Sequence, residues 1–181
     1  MRFSRILFAC AATAVSATVC AGHLPPIQPV EQVELPRFMG QWYVIAAIPT
    51  PFAKNTYNAV ETYTLQPDGR VRATFGYLKG GFDGRPGAFH STGSIQPGTG
   101  NAIWGMQFIW PLKAEYIVAY LNDDYSETII ARNKRDYVWI MARTRTIPQG
   151  DYDGLLDRIK QMGYSLSDLR KVPQQWPASS Q

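Results

Sequence analysis

Cysteine and histidine are nearly absent from this chain, with two of each in 181 residues. Cys10 and Cys20 both fall within the first 21 residues, in a stretch that reads as an export signal. The mature domain therefore has no thiol, which excludes a disulfide framework and a thiolate metal site. His23 lies beside the processing site, leaving His90 as the one histidine inside the domain, with no ligand spacing around it. Charged residues make up only 18%, and no run of five or more basic residues occurs, so nucleic acid is not an implied partner. No Gly-rich phosphate loop, nucleophile elbow or paired zinc motif is found. The pairs Asp123/Asp124 and Asp151/Asp153 match no metal loop and suit a turn and a helix start. These gaps argue against catalysis and imply no cofactor.

The first segment has a different character. Arg2 and Arg5 precede a short apolar run, Ile6 to Ala14, and small residues from Ser16 to Ala21 form a processing site. The pattern is that of a bacterial export signal, too short for a stable membrane span. Two cleavages are open. One follows Ala21. The other precedes Cys20 and would leave its thiol to be lipidated, although Ala17 and Val19 fit a lipoprotein site poorly. Residues 22–35, with Pro25-Pro26-Ile27-Gln28-Pro29, read as a tether. Removing Arg2 and Arg5 takes the formal net charge from +4 to +2.

The rest is rich in aromatics, at 13% of the chain, and punctuated by turn residues. Eight strands are predicted: Gln41–Ile48, Tyr57–Leu65, Arg70–Leu78, Gly87–Ile95, Ala102–Ile109, Glu115–Leu121, Glu127–Arg132 and Tyr137–Arg143. Pro67-Asp68-Gly69 is a strong hairpin turn. Connections this short leave no room for crossover helices, so neighbours pair antiparallel. Eight such strands close most simply as an up-and-down barrel, an all-β fold without edges. Val71, Ala73, Phe75 and Tyr77 share one face of the third strand, and Trp104, Met106, Phe108 and Trp110 one face of the fifth. The last strand is apolar on both faces. Tyr152, Leu155, Leu156, Ile159 and Met162 form the stripe that would cover its outer side, on a helix from about Asp151 to Met162 stopped by Gly163.

An eight-stranded barrel has room to be filled by its own side chains or to hold one small ligand. The predicted lining is Phe75, Tyr77, Met106, Phe108, Tyr116, Trp139 and Met141, which suits an acyl chain. Each buried methylene contributes about 0.8 kcal/mol, before ordering and association costs.

Three motifs carry a family resemblance. Gly40-Gln41-Trp42-Tyr43, preceded by Phe38-Met39, resembles the Gly-x-Trp signature of lipocalins. Asp136-Tyr137-Val138-Trp139-Ile140 is similar to their second signature, and Arg143-Thr144-Arg145-Thr146-Ile147 to their third. The run from Arg135 to Ile147 resembles above all the bacterial outer-membrane lipoprotein lipocalins of the Blc type. The resemblance covers about residues 36–173, leaving 174–181 as a polar tail. It implies a calyx whose floor is closed by Trp42 and Arg143, with Gly40, Trp42, Asp136, Tyr137 and Arg143 in structural roles and Trp139 facing ligand. It also implies fatty acids or lysophospholipids as ligands and envelope maintenance as the task. The location would be the periplasmic face of the outer membrane if Cys20 is lipidated, and the soluble periplasm otherwise. The glycine-rich stretch 80–87 stands out as insertion-like at the pocket mouth, and a homodimer is left open. Two rival readings follow from the same residues. One is a small outer-membrane β-barrel, opposed by Glu61, Arg70, Arg72 and Glu127 within strands; the other is an envelope enzyme on this scaffold, invited only by His90.

Overall fold

The computed structural model describes residues 24–50 and 53–177. The export signal, Cys10, Cys20, His23 and residues 178–181 lie outside them. Eight antiparallel strands follow one another in chain order: β1 (Gly40–Ile48), β2 (Thr56–Leu65), β3 (Val71–Lys79), β4 (Arg85–Ile95), β5 (Ile103–Ile109), β6 (Leu112–Leu121), β7 (Glu127–Ala131) and β8 (Val138–Ala142). Each pairs with the next, and β1 pairs with both β2 and β8, so the sheet closes on itself. Local chemistry sets the turns. Gly69 takes the left-handed conformation between β2 and β3 at φ +78. The Asn122 side chain accepts from the backbone N–H of Ser126 and of Glu127, both at 2.9 Å, and so closes the β6–β7 turn.

Two apolar cores follow from the strand alternation. Inside the barrel Trp42, Val44, Tyr63, Val71, Ala73, Phe75, Met106, Tyr116 and Met141 pack together. Outside it Ile45, Ile117, Ile129, Val138, Ile140 and Ala142 meet Tyr152, Leu155 and Ile159 of helix α2 (Gln149–Gln161). That second core explains why β8 is apolar on both faces, as its sequence implied. Gly163 ends the helix at φ +87.

The expected floor is built as a stack. A short helix, α1 (Leu35–Phe38), crosses the end of the barrel. Trp42 is fully buried behind it and donates its indole N–H to the Phe38 carbonyl at 2.8 Å. The Arg143 guanidinium lies 3.8 Å from the Trp42 ring centroid, well within cation–π range. The same guanidinium donates to the carbonyls of Arg37, Phe38, Met39 and Gln41 at 2.7–3.0 Å, so the end of the last strand is tied to the start of the first. Gly40 sits at φ +92 with its α-carbon face toward this guanidinium; a Cβ there would meet Nη1 at 3.5 Å. The left-handed backbone is what demands glycine. Asp136 pairs with Arg132 at 2.9 Å, and the Tyr137 hydroxyl donates to the Glu115 carbonyl.

Both ends of the domain are more firmly attached than the sequence suggested. Within the segment read as a tether, Ile27 and Val33 are buried. Val30 and Val33 donate backbone bonds to Val118 and Gly100 at 2.9 and 2.7 Å. At the other end a two-residue strand, β9 (Arg170–Lys171), pairs with Ala46 and Ala47 of β1.

Candidate ligand-binding site

Strand β9 marks where the barrel wall divides. β1 and β2 are paired only from Gly40↔Tyr63 to Tyr43↔Val60, at the floor end. Toward the mouth they part, and residues 170–175 fill the gap. Asn58 donates its backbone N–H to the Pro173 carbonyl at 2.9 Å. The Gln174 side-chain amide bridges the two strands, donating to the carbonyls of Val44 at 2.9 Å and Ala59 at 3.1 Å. Asn58 and Gln175 exchange two further bonds of 2.7 Å. This strap satisfies backbone groups that the parted strands would otherwise leave unpaired.

Behind the strap lies a cavity of about 600 Å³. Its wall includes Val44, Ala47, Phe75 and Trp139, while Lys54, Thr56, Tyr57, Asp168, Arg170 and Val172 stand around its rim. The volume is in the range of small-molecule sites. Aromatic rings continue along the inner wall: Phase and height are set by the register Phe75↔Phe89 and Tyr77↔Gly87. Phe75 lies 5.4 Å from both Tyr77 and Trp139, and Tyr77 stacks on Phe89 at 5.6 Å. Gly87 makes room for the tyrosine, since a Cβ there would come within 2.6 Å of its ring.

The seven residues predicted to line the interior divide by height. Phe75 and Trp139 border the cavity, and Tyr77 stands half-buried beside them. Met106, Tyr116 and Met141 face inward but belong to the packed lower half, at 3%, 4% and 0% exposure. There the Tyr116 ring stacks on Trp104 at 4.9 Å, and its hydroxyl meets that of Tyr63 at 2.6 Å. Burial holds both phenols well above their usual 10, so they stay neutral. The barrel is thus filled below and open above. Phe108 is a correction: it is 57% exposed and does not line the interior. It belongs to the β5–β6 hairpin tip, where Ile109, Trp110 and Leu112 are 69%, 83% and 73% exposed. The β5–β6 register is irregular between Gln107 and Ile109, so the alternation that turns Met106 inward does not carry through to Phe108.

Glu61 is the functional candidate that sequence reasoning missed. It shares the inner face of β2 with Ala59 and Tyr63, opposite Trp42 on β1 and Phe75 on β3. It is 4% exposed, and desolvation pushes its carboxyl from the ordinary 4.5 up to about 8. The even spacing from Tyr63 was the available signal. His90 is on the outer face, exposed, with Nδ1 3.1 Å from the Thr74 hydroxyl. Among the described residues no group of three His, Cys, Asp or Glu could hold a metal ion.

A family model described as a lipocalin-like domain matches residues 33–174. This chain is a lipocalin. It is 32% identical over 157 residues to temperature-induced lipocalin-1 of Arabidopsis thaliana, covering 80% of this chain and 81% of that protein. It is 27% identical over 173 residues to the outer membrane lipoprotein Blc of Escherichia coli K12, covering 93% and 96%. Among solved structures, insecticyanin from the tobacco hornworm Manduca sexta matches with a TM-score of 0.65 at 15% identity, over 83% of this chain and 86% of that one. That match concerns the fold alone. The lipocalin domain here is a closed eight-stranded antiparallel barrel with its helix outside, and the small outer-membrane barrel is not the favoured reading.

Proposed function

We propose that this lipocalin binds a single-chain lipid, a fatty acid or a lysophospholipid, in the upper half of its barrel and carries it within the cell envelope. The observation that supports the reading most is the roughly 600 Å³ cavity walled by Val44, Ala47, Phe75 and Trp139. An acyl chain seated there gains about 0.8 kcal/mol for each methylene withdrawn from water. Lys54 and Arg170 on the rim, against the single acid Asp168, suit a carboxylate or phosphate left at the mouth. Similarity to Blc over nearly the whole chain supports an envelope location, with anchoring through Cys20 as its lipoprotein form. Phe75, Tyr77 and Trp139 are the proposed ligand contacts. The test is titration of tryptophan emission with palmitate and with lysophosphatidylethanolamine. Saturable quenching that Trp139→Phe removes supports the proposal, and unchanged emission with either lipid refutes it.

Loading from a membrane is favoured by the exposed hairpin tip. Ile109, Trp110 and Leu112 project at the mouth end, across the opening from the β1–β2 seam, and Lys113 follows them. An exposed apolar cluster with a tryptophan and a flanking lysine suits the interface of an anionic bilayer. The enzyme alternative has only His90 to invite it, and that side chain faces away from the cavity strands' inner wall.

A further inference from the structure

Two polar atoms inside the barrel have no partner. Among the buried side chains described, Glu61 Oε2 and Trp139 Nε1 make no hydrogen bond. An unmet polar group in an apolar interior is costly, so both atoms are informative. Both adjoin Phe75: Glu61 stands directly opposite it across β2 and β3, and the Trp139 ring packs against it at 5.4 Å. Phe75 also borders the cavity and is itself 7% exposed. Trp139 therefore borders the cavity while Glu61 lies just outside its lining, and Phe75 adjoins both.

We propose that Glu61 and Trp139 form a polar subsite at the base of the cavity, beside Phe75, which selects acyl chains bearing a hydroxyl group on their inner end. The proposal rests on the lipid-binding reading above and narrows its ligand class. An indole N–H only donates, and so needs an acceptor. A carboxyl accepts, and when protonated it also donates. A hydroxyl serves both at once, accepting from Trp139 and exchanging a bond with Glu61. Burial keeps Glu61 largely in its neutral acid form near pH 7, since its carboxyl is pushed up to about 8. A carboxylate at that depth would have no cation to meet it, and an ammonium would face the indole donor. The charged end of the ligand is thereby assigned to the rim, at Lys54 and Arg170. From Tyr57 at the rim to Glu61 the strand, irregular between Tyr57 and Val60, spans at most about 13 Å, no more than roughly ten carbons of an extended chain. The fitting ligand is a fatty acid hydroxylated near its far end.

Competition binding on the purified full chain, using 12-hydroxydodecanoic and 16-hydroxyhexadecanoic acids against their unsubstituted parents, tests this. The wild-type protein should prefer at least one hydroxylated acid over its parent by roughly tenfold, about what one well-made buried hydrogen bond contributes. Glu61→Leu and Trp139→Phe should each erase that preference while keeping or tightening the hold on the parent acids. Parent acids bound equally well or better by the wild type, or a preference that survives in both variants, would overturn the subsite and leave the lipid-binding reading standing. Failure of all four acids to bind the wild type would overturn the subsite, and failure of lysophosphatidylethanolamine as well would refute both. The wild-type ratio and Trp139→Phe decide the matter even if Glu61→Leu does not fold.

Discussion

The two ends of this barrel are built on opposite terms. At the floor the large side chains are held by partners: Trp42 bonds to Phe38, Arg143 caps four carbonyls and stacks on the indole, and Tyr63 and Tyr116 share a hydrogen bond. At the mouth β1 and β2 separate, a C-terminal strap bridges them, a cavity opens, and a hairpin tip presents apolar side chains to solvent. Glu61 and Trp139 sit at the boundary with polar atoms unmet. The floor thus secures the fold, and stability has been left unspent above it where a ligand can supply contacts. Substitutions at the two ends should differ in kind: floor changes unfold the protein, whereas mouth changes alter what it binds.

The largest effect is expected at the floor. Trp42→Ala should cost about 3–5 kcal/mol, the usual penalty for removing a buried aromatic, read as a lowered midpoint in urea unfolding. An unchanged midpoint would break the distinction between the two ends.

The boundary should show itself through pH. Folded Glu61 holds its proton up to about 8, whereas the unfolded chain loses it near 4.5. Between those values the folded state binds more protons at Glu61, so the stability it contributes is fully present below about 4.5, falls as pH rises, and levels off above about 8. The ionisable groups that act on the same interior, Tyr63 and Tyr116, remain neutral throughout this window. The loss should be on the order of 5 kcal/mol across it. Glu61→Gln should flatten the profile, and thermal melts of both proteins from pH 4 to 9 check this. A sloping profile retained in the variant would assign the slope to other groups.

Smaller effects are expected at the mouth. Phe75→Ala should weaken fatty-acid binding by roughly tenfold or more through lost apolar contact, as measured by isothermal titration. The least effect on stability belongs to the hairpin tip: Trp110→Ser should stay within about 0.5 kcal/mol of the wild type, because the side chain is 83% exposed. It should nonetheless reduce co-flotation with vesicles of phosphatidylethanolamine and phosphatidylglycerol. Equal flotation would remove the tip from membrane contact.

The same contrast explains which parts the sequence made legible. Floor residues announce themselves because each is bound to local backbone geometry: Gly40 by its left-handed φ, Trp42 by the turn of α1 four residues earlier. Strand alternation placed Phe75 and Tyr77 together and Met106 with Trp104, and all four pack in the interior cluster. It carries no information about depth or about a break in register, which is why Met106 and Met141 are buried in the packed half and Phe108 is exposed at the irregularity in β5. Arg72 is exposed on the outer wall, as its strand charge suggested, but Glu61 shares the inner parity of Tyr63. The strap was invisible for another reason. Gln174 bonds to strand carbonyls and Gln175 to the Asn58 side chain, all more than a hundred positions away, and no local pattern in a polar tail records such partners. Strand β9, only two residues long, has no periodicity to detect.

Native mass spectrometry of the protein purified from envelope fractions, before and after delipidation, tests the central claim most directly. The expected spectrum shows one single-chain lipid per barrel, lost on delipidation and restored by adding a fatty acid or lysophospholipid. A bare chain in both states, with no adduct on adding either lipid, would contradict it.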